Sequence, residues 1–395
     1  MKVLVLGGAG GMGRVAVEQT ASYPFVEHVT VTDLDGVAAT AVAQRVGSKA
    51  KGMALDINDR ALMRETIIAH DLVLNCVGPF YVLGLPVLEQ VIEAGRNYAD
   101  ICDDWEPTLD MLALSHRAEE KGVVALVGLG ASPGVSNMLA MKAASMLDSV
   151  EEVITGWSID GSGEDISAVV SSHPKVQGAS AALVHWVQQM TGTIRVLKEG
   201  GYQQVKPLVR SDIFYPSYGL LPVWSVGHPE AVTLPRVLPG LMACTNVMVG
   251  GEDGFLGLQV LAGLVDTGVL TIHQAADEIA KDFAKKTGTK KSPKPLAAHV
   301  PGLFGWARGN LRGKPTVAAA HVLSLPPGGM AGATSVPLSL AVPLFQQGFG
   351  ERVGVFSPEE LINPVAFFDL LAPRCTGHFS SGEALVAIDV AQLDA

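Results

Sequence analysis

The feature that most constrains this chain sits in its first fourteen residues. Val3-Leu4-Val5-Leu6 is apolar without alternation, as in a strand buried on both faces, and it breaks at once into Gly7-Gly8-Ala9-Gly10-Gly11-Met12-Gly13-Arg14. A Gly8-x-Gly10-x-x-Gly13 spacing between a strand and a helical pattern is built to hold a diphosphate. Gly8 permits a tight turn, Gly10 lets backbone N–H groups approach the anion, and Gly13 lets helix and strand pack closely. The helix N-terminus at Gly11 and Met12 then faces the negative charge. The next strand, His28–Thr32, leads to Asp33, twenty positions past Gly13, where a ribose-binding carboxylate belongs. Asp33, with Leu34 beside it, is expected to take the adenosine hydroxyls. With Asp35 nearby and no Lys or Arg in Asp33–Val42, NAD(H) is expected over NADP(H).

From Met1 to about Gly128, β-branched runs alternate with amphipathic segments, the pattern of β-α units building a parallel sheet. Lys2–Leu6, His28–Thr32, Leu72–Val77 and Val123–Val127 read as buried strands. Gly11–Ser22, Gly36–Val46, Asp59–Ala69, Pro86–Ala94 and Glu106–Lys121 read as crossover helices. After Gly130-Ala131-Ser132-Pro133-Gly134 comes one helix, Val135–Met146, and then sequence richer in Pro, Gly and aromatics. Charged, helix-like sequence runs from Asp266 to Lys286, and Lys285–Pro295 reads as an exposed basic loop. The expected architecture is α/β: a Rossmann-type parallel sheet over 1–130, completed by 334–395, and a second, mixed-sheet α/β domain over 131–333 for substrate and dimerisation.

A formal charge of −11 without a basic stripe argues against nucleic acid or anionic lipid as partner. Cys76, Cys102, Cys244 and Cys375 lie far apart with no paired spacing, so no metal site is expected and buried thiols in a reducing cytoplasm are. The run Pro315–Gly350 has no Asp, Glu, Lys or Arg, but its prolines interrupt it before about 20 helical residues accumulate, so it reads as buried helix or subunit contact. That apolar surplus points to a homodimer.

Further site candidates lie at strand ends, where ligands bind in open parallel sheets. Asp56 and Ile57 follow the third strand-like run and are placed for the adenine edge, although Asn58 or Asp59 suits the helix cap better. Cys76-Val77-Gly78-Pro79 ends the fourth strand; its backbone is expected at ribose and nicotinamide, with Tyr81 toward a substrate. After the fifth strand, Cys102-Asp103-Asp104-Trp105-Glu106 is acid-rich. A helix start explains Glu106 and one aspartate, and Asp103 is assigned to the substrate, where it could hold an amine.

The chain resembles the saccharopine dehydrogenase-like oxidoreductases, which include saccharopine reductases, lysine 6-dehydrogenases and carboxynorspermidine dehydrogenases. The resemblance is carried by the glycine fingerprint, Val77-Gly78-Pro79-Phe80 with Gly84, Ile92-Glu93-Ala94-Gly95-x-x-Tyr98-x-Asp100, and Gly128 to Asn137. Gly227-His228-Pro229-Glu230, Thr233-Leu234-Pro235-Arg236 and Pro358-Glu359-Glu360 continue it. It implies hydride transfer between a nicotinamide and a carbon bearing an amine, through an imine that water hydrolyses, in an amino acid, opine or polyamine conjugate. Ser132 and Pro133 would then flank the cofactor, and Asn137 and Asp104 the substrate. Losing hydride requires the amine to shed a proton, and His228, with Glu230 placed to orient its ring, ranks first as base over His173 and His185. Arg236 could fork a substrate carboxylate or neutralise Glu230. Two other readings fit the same motifs: reduction of an activated C=C or C=O bond, since the domain also resembles trans-acting enoyl reductases, and a non-catalytic NAD(H) sensor.

Overall fold

The computed structural model describes residues 1–159, 181–287 and 301–393. These form two compact units, Met1–Gly134 with Ala331–Leu361, and Val135–Met330 with Ile362–Ala395.

The first unit is a seven-stranded, all-parallel Rossmann-type sheet. Its strands are β1 (Lys2–Leu6), β2 (His28–Asp33), β3 (Ala50–Ala54), β4 (Leu72–Asn75), β5 (Asn97–Asp100) and β6 (Val124–Leu126). A seventh, Gly354–Phe356, pairs with β6, and the order across the sheet is Gly354–Phe356, β6, β5, β4, β1, β2, β3. The order reverses between β1 and β4, which is where such sheets open a ligand crevice at their carboxyl ends. Because helices cover both faces, the central strands lack polar alternation: Val3, Leu4, Val5 and Leu6 are all fully buried, as are Leu72, Val73 and Leu74.

The connecting helices are α1 (Gly11–Ser22), α2 (Gly36–Val46), α3 (Arg60–Ile68), α4 (Phe80–Glu93), α5 (Trp105–Leu112) and α6 (Ser115–Glu120). Two depart from the sequence reading. The helix expected from Pro86 begins at Phe80 and carries Pro86 inside it. Proline usually opens a helix, but here Val87, Leu88, Val91 and Ile92 bury one continuous apolar face, and that burial outweighs the lost hydrogen bond. The single helix expected over Glu106–Lys121 is two, because the chain turns at Ala113 and Leu114 and so brings Met111, Leu112, Leu114 and Ala118 onto one core cluster.

The second unit is built on a mixed sheet of nine strands. It contains β7 (Ser149–Ser158), β8 (Ile194–Lys198), β9 (Gly201–Val205), β10 (Arg210–Tyr215), β11 (Gly219–Val226), β12 (Ala243–Val249), β13 (Leu303–Leu311), β14 (Lys314–Val322) and Val386–Gln392. The main path runs β10-β11-β12-β7-β13-β14-Val386–Gln392, and among the described residues only β12 and β7 pair in parallel. Helix α7 (Val135–Ala144) lies against β13 so closely that a Cβ on Gly305 would come within 2.2 Å of the Ala140 backbone nitrogen.

The expected completion of the first unit by 334–395 divides at Leu361. Ser335 and Gly354–Phe356 do return to it, but Val386–Gln392 pairs with β14 and so belongs to the second sheet. The charged, helix-like stretch from Asp266 is the helix Ile272–Thr287, separated by a turn from the helix Glu252–Asp266 before it. His173, and the basic loop from residue 288 onward, lie outside the described residues. The apolar run Pro315–Gly350 supplies β14 and the helices Gly329–Ser339 and Ala341–Gln347, most of whose side chains are buried. The apolar side chains of this run are thus mostly taken up in the chain's own core, with Leu323 and Met330 exposed. Among the described residues no helix is long and apolar enough to cross a membrane.

Candidate functional site

In the first unit the strand ends gather most of the residues singled out for a cofactor. The turn after β1 is made by Gly7, whose φ of +69° suits a residue without a side chain, and a Cβ there would meet the Cys76 carbonyl oxygen at 3.0 Å. This corrects the role given to Gly8, which instead packs its bare Cα against the Val31 side chain. The signal for Gly7 was present, since it is the first glycine after the strand. Gly13 does allow the close packing expected of it, because a Cβ there would fall 2.0 Å from the Gly7 oxygen.

Helix α1 begins with no side chain capping its N-terminus, whereas α2 is capped by Asp35 and α3 by Asp59. A diphosphate therefore fits α1: its first-turn N–H groups at Gly11 and Met12 have no competing carboxylate, and the helix dipole favours an anion. Asp33, half-buried at the end of β2, accepts from the Ala9 N–H at 3.2 Å and from the Asp35 N–H at 3.2 Å. Its carboxylate is thus fixed beside the glycine loop, with Leu34 next to it 75% exposed and open to a ligand. Asp35 Oδ1 in turn accepts from Val37 and Ala38 N–H at 3.0 and 3.1 Å. Asp56 is exposed in a local turn that accepts from Asn58, and Ile57 is half-buried; Asp59, not Asn58, caps α3.

At the ends of β4, β5 and β6 the chain forms three loops. Cys76 N–H donates to the Leu6 carbonyl, which ties Cys76–Pro79 to the glycine turn, and Pro79 opens α4. Tyr81, in the first turn of α4, keeps its proton: burial and the nearby Asp104 carboxylate push its phenol above the ordinary value. Asp104 stands at the N-terminus of α5, and Asp103 is half-buried near Asp100. Asp100 is fully buried and pushed up to about 6, chiefly by desolvation, although backbone N–H groups of Gly128 and Cys102 and the Tyr98 hydroxyl all oppose that shift. Desolvation first, then the Asp100 charge, also holds the Cys102 thiol well above its usual range, which disfavours the thiolate. Ser132 and Pro133 lie in the third loop, where Gly130 N–H donates to the Pro133 carbonyl at 2.8 Å.

The second unit holds His228, Glu230, Asn137 and Arg236. His228 is buried, with Nδ1 3.3 Å from Glu230 Oε2 and Nε2 3.2 Å from Gln189 Oε1. Trp157 covers the ring at 4.5 Å between centroids. Glu230 is fully buried and accepts from the Ser136 hydroxyl at 2.5 Å, at the start of α7. Asn137 donates to Thr233 at 3.4 Å, Ala231 N–H donates to Asn246, and Asn246 donates to Thr155. Ser136 and Gln189 were not foreseen, since nothing local marks either as a partner of a residue so distant in sequence. Arg236 is exposed at the end of Leu234–Arg236, and His185 is buried in the helix Ala181–Gln189. A histidine between a carboxylate and an amide can hold or release a proton without losing its orientation, because an amide offers either its oxygen or its NH2 group.

A switch-point crevice with an uncapped glycine turn and a strand-end carboxylate defines the class: a dinucleotide-binding α/β protein with a second, mixed-sheet unit. Comparison with known proteins finds similarities of the same kind. Residues 3–126 match the saccharopine dehydrogenase NADP binding domain. The chain is 42% identical over 69 residues to a saccharopine dehydrogenase-like oxidoreductase of Mus musculus, covering 17% of this chain and 16% of that one. It is 28% identical over 152 residues to a probable mitochondrial saccharopine dehydrogenase-like oxidoreductase of Arabidopsis thaliana, covering 35% and 34%. The matches thus span about a third or less of these relatives. The fold is shared over 100% of both chains with apo saccharopine dehydrogenase (L-Glu forming) of Saccharomyces cerevisiae, at a TM-score of 0.66 and 14% identity. The first 126 residues are thus similar to the saccharopine dehydrogenase NADP binding domain, and the whole chain shares the fold of a saccharopine dehydrogenase.

Proposed function

We propose that this protein is an NAD(H)-dependent oxidoreductase acting at a C–N bond of an amino acid, opine or polyamine conjugate. The observation that carries the reading is the buried His228–Glu230 pair, a proton-handling group in a chain whose first 126 residues are similar to a dinucleotide-binding domain. When bound, the nicotinamide supplies the hydride acceptor or donor. The chain's own residues do the rest. Gly8, Gly10, Gly11, Met12 and Gly13 receive the diphosphate, Asp33 the adenosine ribose, and Leu34, Asp56 and Ile57 the adenine side. Cys76–Pro79 with Ser132 and Pro133 flank the nicotinamide.

On the substrate side, Asp103 and Asp104 provide negative charge for an ammonium. Tyr81 donates a hydrogen bond, Asn137 contributes a polar contact, and Arg236 pairs with a carboxylate. His228 would take the proton that the nitrogen sheds when hydride is lost from carbon, and Glu230 would stabilise the charged ring. Water then adds to the C=N bond, leaving a carbonyl and a free amine.

The matched domain model is described as binding NADP, but two features of this chain support NAD(H). No cation lies in Asp33–Val42, and Asp35 already occupies the Val37 and Ala38 N–H groups that a 2′-phosphate would need. Four free thiols are compatible with a reducing compartment such as the cytoplasm.

The test is turnover. Purified protein is screened by NADH absorbance against amino acids, opines and polyamine conjugates with NAD, and in reverse against 2-oxo acids with amines and NADH. An amine-dependent rate is expected, lowered roughly 100- to 1,000-fold in His228→Gln with little change in NADH affinity. Turnover of an amine-free enoyl or carbonyl substrate instead would overturn the C–N assignment, and tight NADH binding with no turnover would favour a sensor.

A further inference from the structure

We infer that Asn75, Tyr98 and Asp100 form one directional hydrogen-bond relay that sets the loops after β4, β5 and β6 in mutual register. Asp100 is then the positioning residue for the nicotinamide half of the cofactor. The inference rests on the dinucleotide reading given above, and it concerns residues that contact no ligand themselves.

The sheet's own hydrogen-bonded rungs run out at Leu6 with Asn75, Asn75 with Asp100, and Ala99 with Leu126. Beyond them the ladder thins to single backbone bonds, such as Cys76 N–H to the Leu6 carbonyl, and side chains supply the rest. Asn75 Oδ1 accepts from Val77 N–H at 2.9 Å, at the head of the first loop. Asn75 Nδ2 donates to the Tyr98 hydroxyl at 2.9 Å, and that hydroxyl donates to Asp100 Oδ2 at 2.9 Å. Asp100 Oδ1 accepts from Cys102 N–H at 3.1 Å in the second loop and from Gly128 N–H at 2.7 Å in the third. The Asp100 carbonyl also receives Leu129 N–H at 2.7 Å. Each bond along the side chains points toward the same carboxylate, an order in which successive donors polarise one another.

The third loop is closed and stiff. Gly130 N–H returns to Pro133, and a Cβ on Gly134 would lie 2.2 Å from the Gly130 oxygen. Moving its root therefore moves it as a body. All three relay side chains are fully buried, where apolar residues would avoid the desolvation that polar groups suffer. What the polar trio supplies in exchange is fixed spacing between three strand ends.

The experiment uses the full chain with Tyr98→Phe, Asp100→Asn and the double variant. Calorimetry measures affinity for NADH and for ADP-ribose, which lacks the nicotinamide. The relay predicts NADH weakened about tenfold in either single variant and ADP-ribose unchanged within about twofold. The double variant should be no worse than the singles, because both cut one path. If Asp100→Asn does not fold, Tyr98→Phe, which keeps the ring in the core, decides alone. Wild-type NADH affinity in the variants, or equal weakening of both ligands, overturns the relay. A wild-type chain that binds neither ligand instead removes the dinucleotide reading, and the relay falls with it.

Discussion

Asp100 shows how one residue couples burial to pH. Its carboxyl is pushed up to about 6 from the ordinary 3.8, with desolvation as the leading cause. Between those values the folded chain keeps a proton that the unfolded chain has released, so stability from this group is full below about 3.8 and is lost as pH rises through about 6. The expected measurement is a difference. From pH 4.5 to 7.5 the unfolding free energy of the first unit in the wild type should fall relative to Asp100→Asn by about 2 kcal/mol, read from exchange of its core amides. A pH-independent gap between the two proteins would mean that Asp100 is not desolvated as described. Tyr98 and Asp100 could be paired from sequence, because residues two apart in a strand share a face. Their link to Asn75 could not, since it depends on which strand lies next to β5.

At the scale of elements, the junction of β2 and α2 concentrates the cofactor's specificity. Asp33 ends the strand and holds the glycine turn through Ala9 N–H, and Asp35 caps the helix through Val37 and Ala38 N–H. Asp33→Ala is expected to weaken NAD roughly tenfold to thirtyfold and to reduce discrimination against NADP, measured as the ratio of the two dissociation constants. Equal affinities before and after the change would put the ribose elsewhere. This junction was legible beforehand because strand, turn and carboxylate follow within a few tens of residues and each part has a local signature. The start of α4 was not, because a proline inside a helix is tolerated only where tertiary burial compensates for it.

For the whole molecule, the first unit is discontinuous. Ser335 donates to the Met12 carbonyl at 2.8 Å across 323 positions of sequence, and Gly354–Phe356 covers the edge of β6. A fragment ending at Gly134 would therefore expose that edge and lose support for the first turn of α1. It is expected to bind NADH weakly or aggregate, whereas the same fragment joined by a flexible linker to Ala331–Leu361 should recover binding, as followed by NADH fluorescence. Equal binding by the two fragments would show the returning segment to be dispensable.

The amino-acid sequence by itself determined the parallel sheet, the glycine turn, the strand-end carboxylate and the change of architecture near Gly134, since each is written in local spacing and periodicity. Only the tertiary structure decided that the chain returns to its first unit and leaves it again at Leu361, that Ser136 and Gln189 attend the His228–Glu230 pair, and that Asn75 meets Tyr98. The reason is physical: Ser136 and Glu230 are 94 positions apart, and local periodicity selects the element but not the distant neighbour against which it packs.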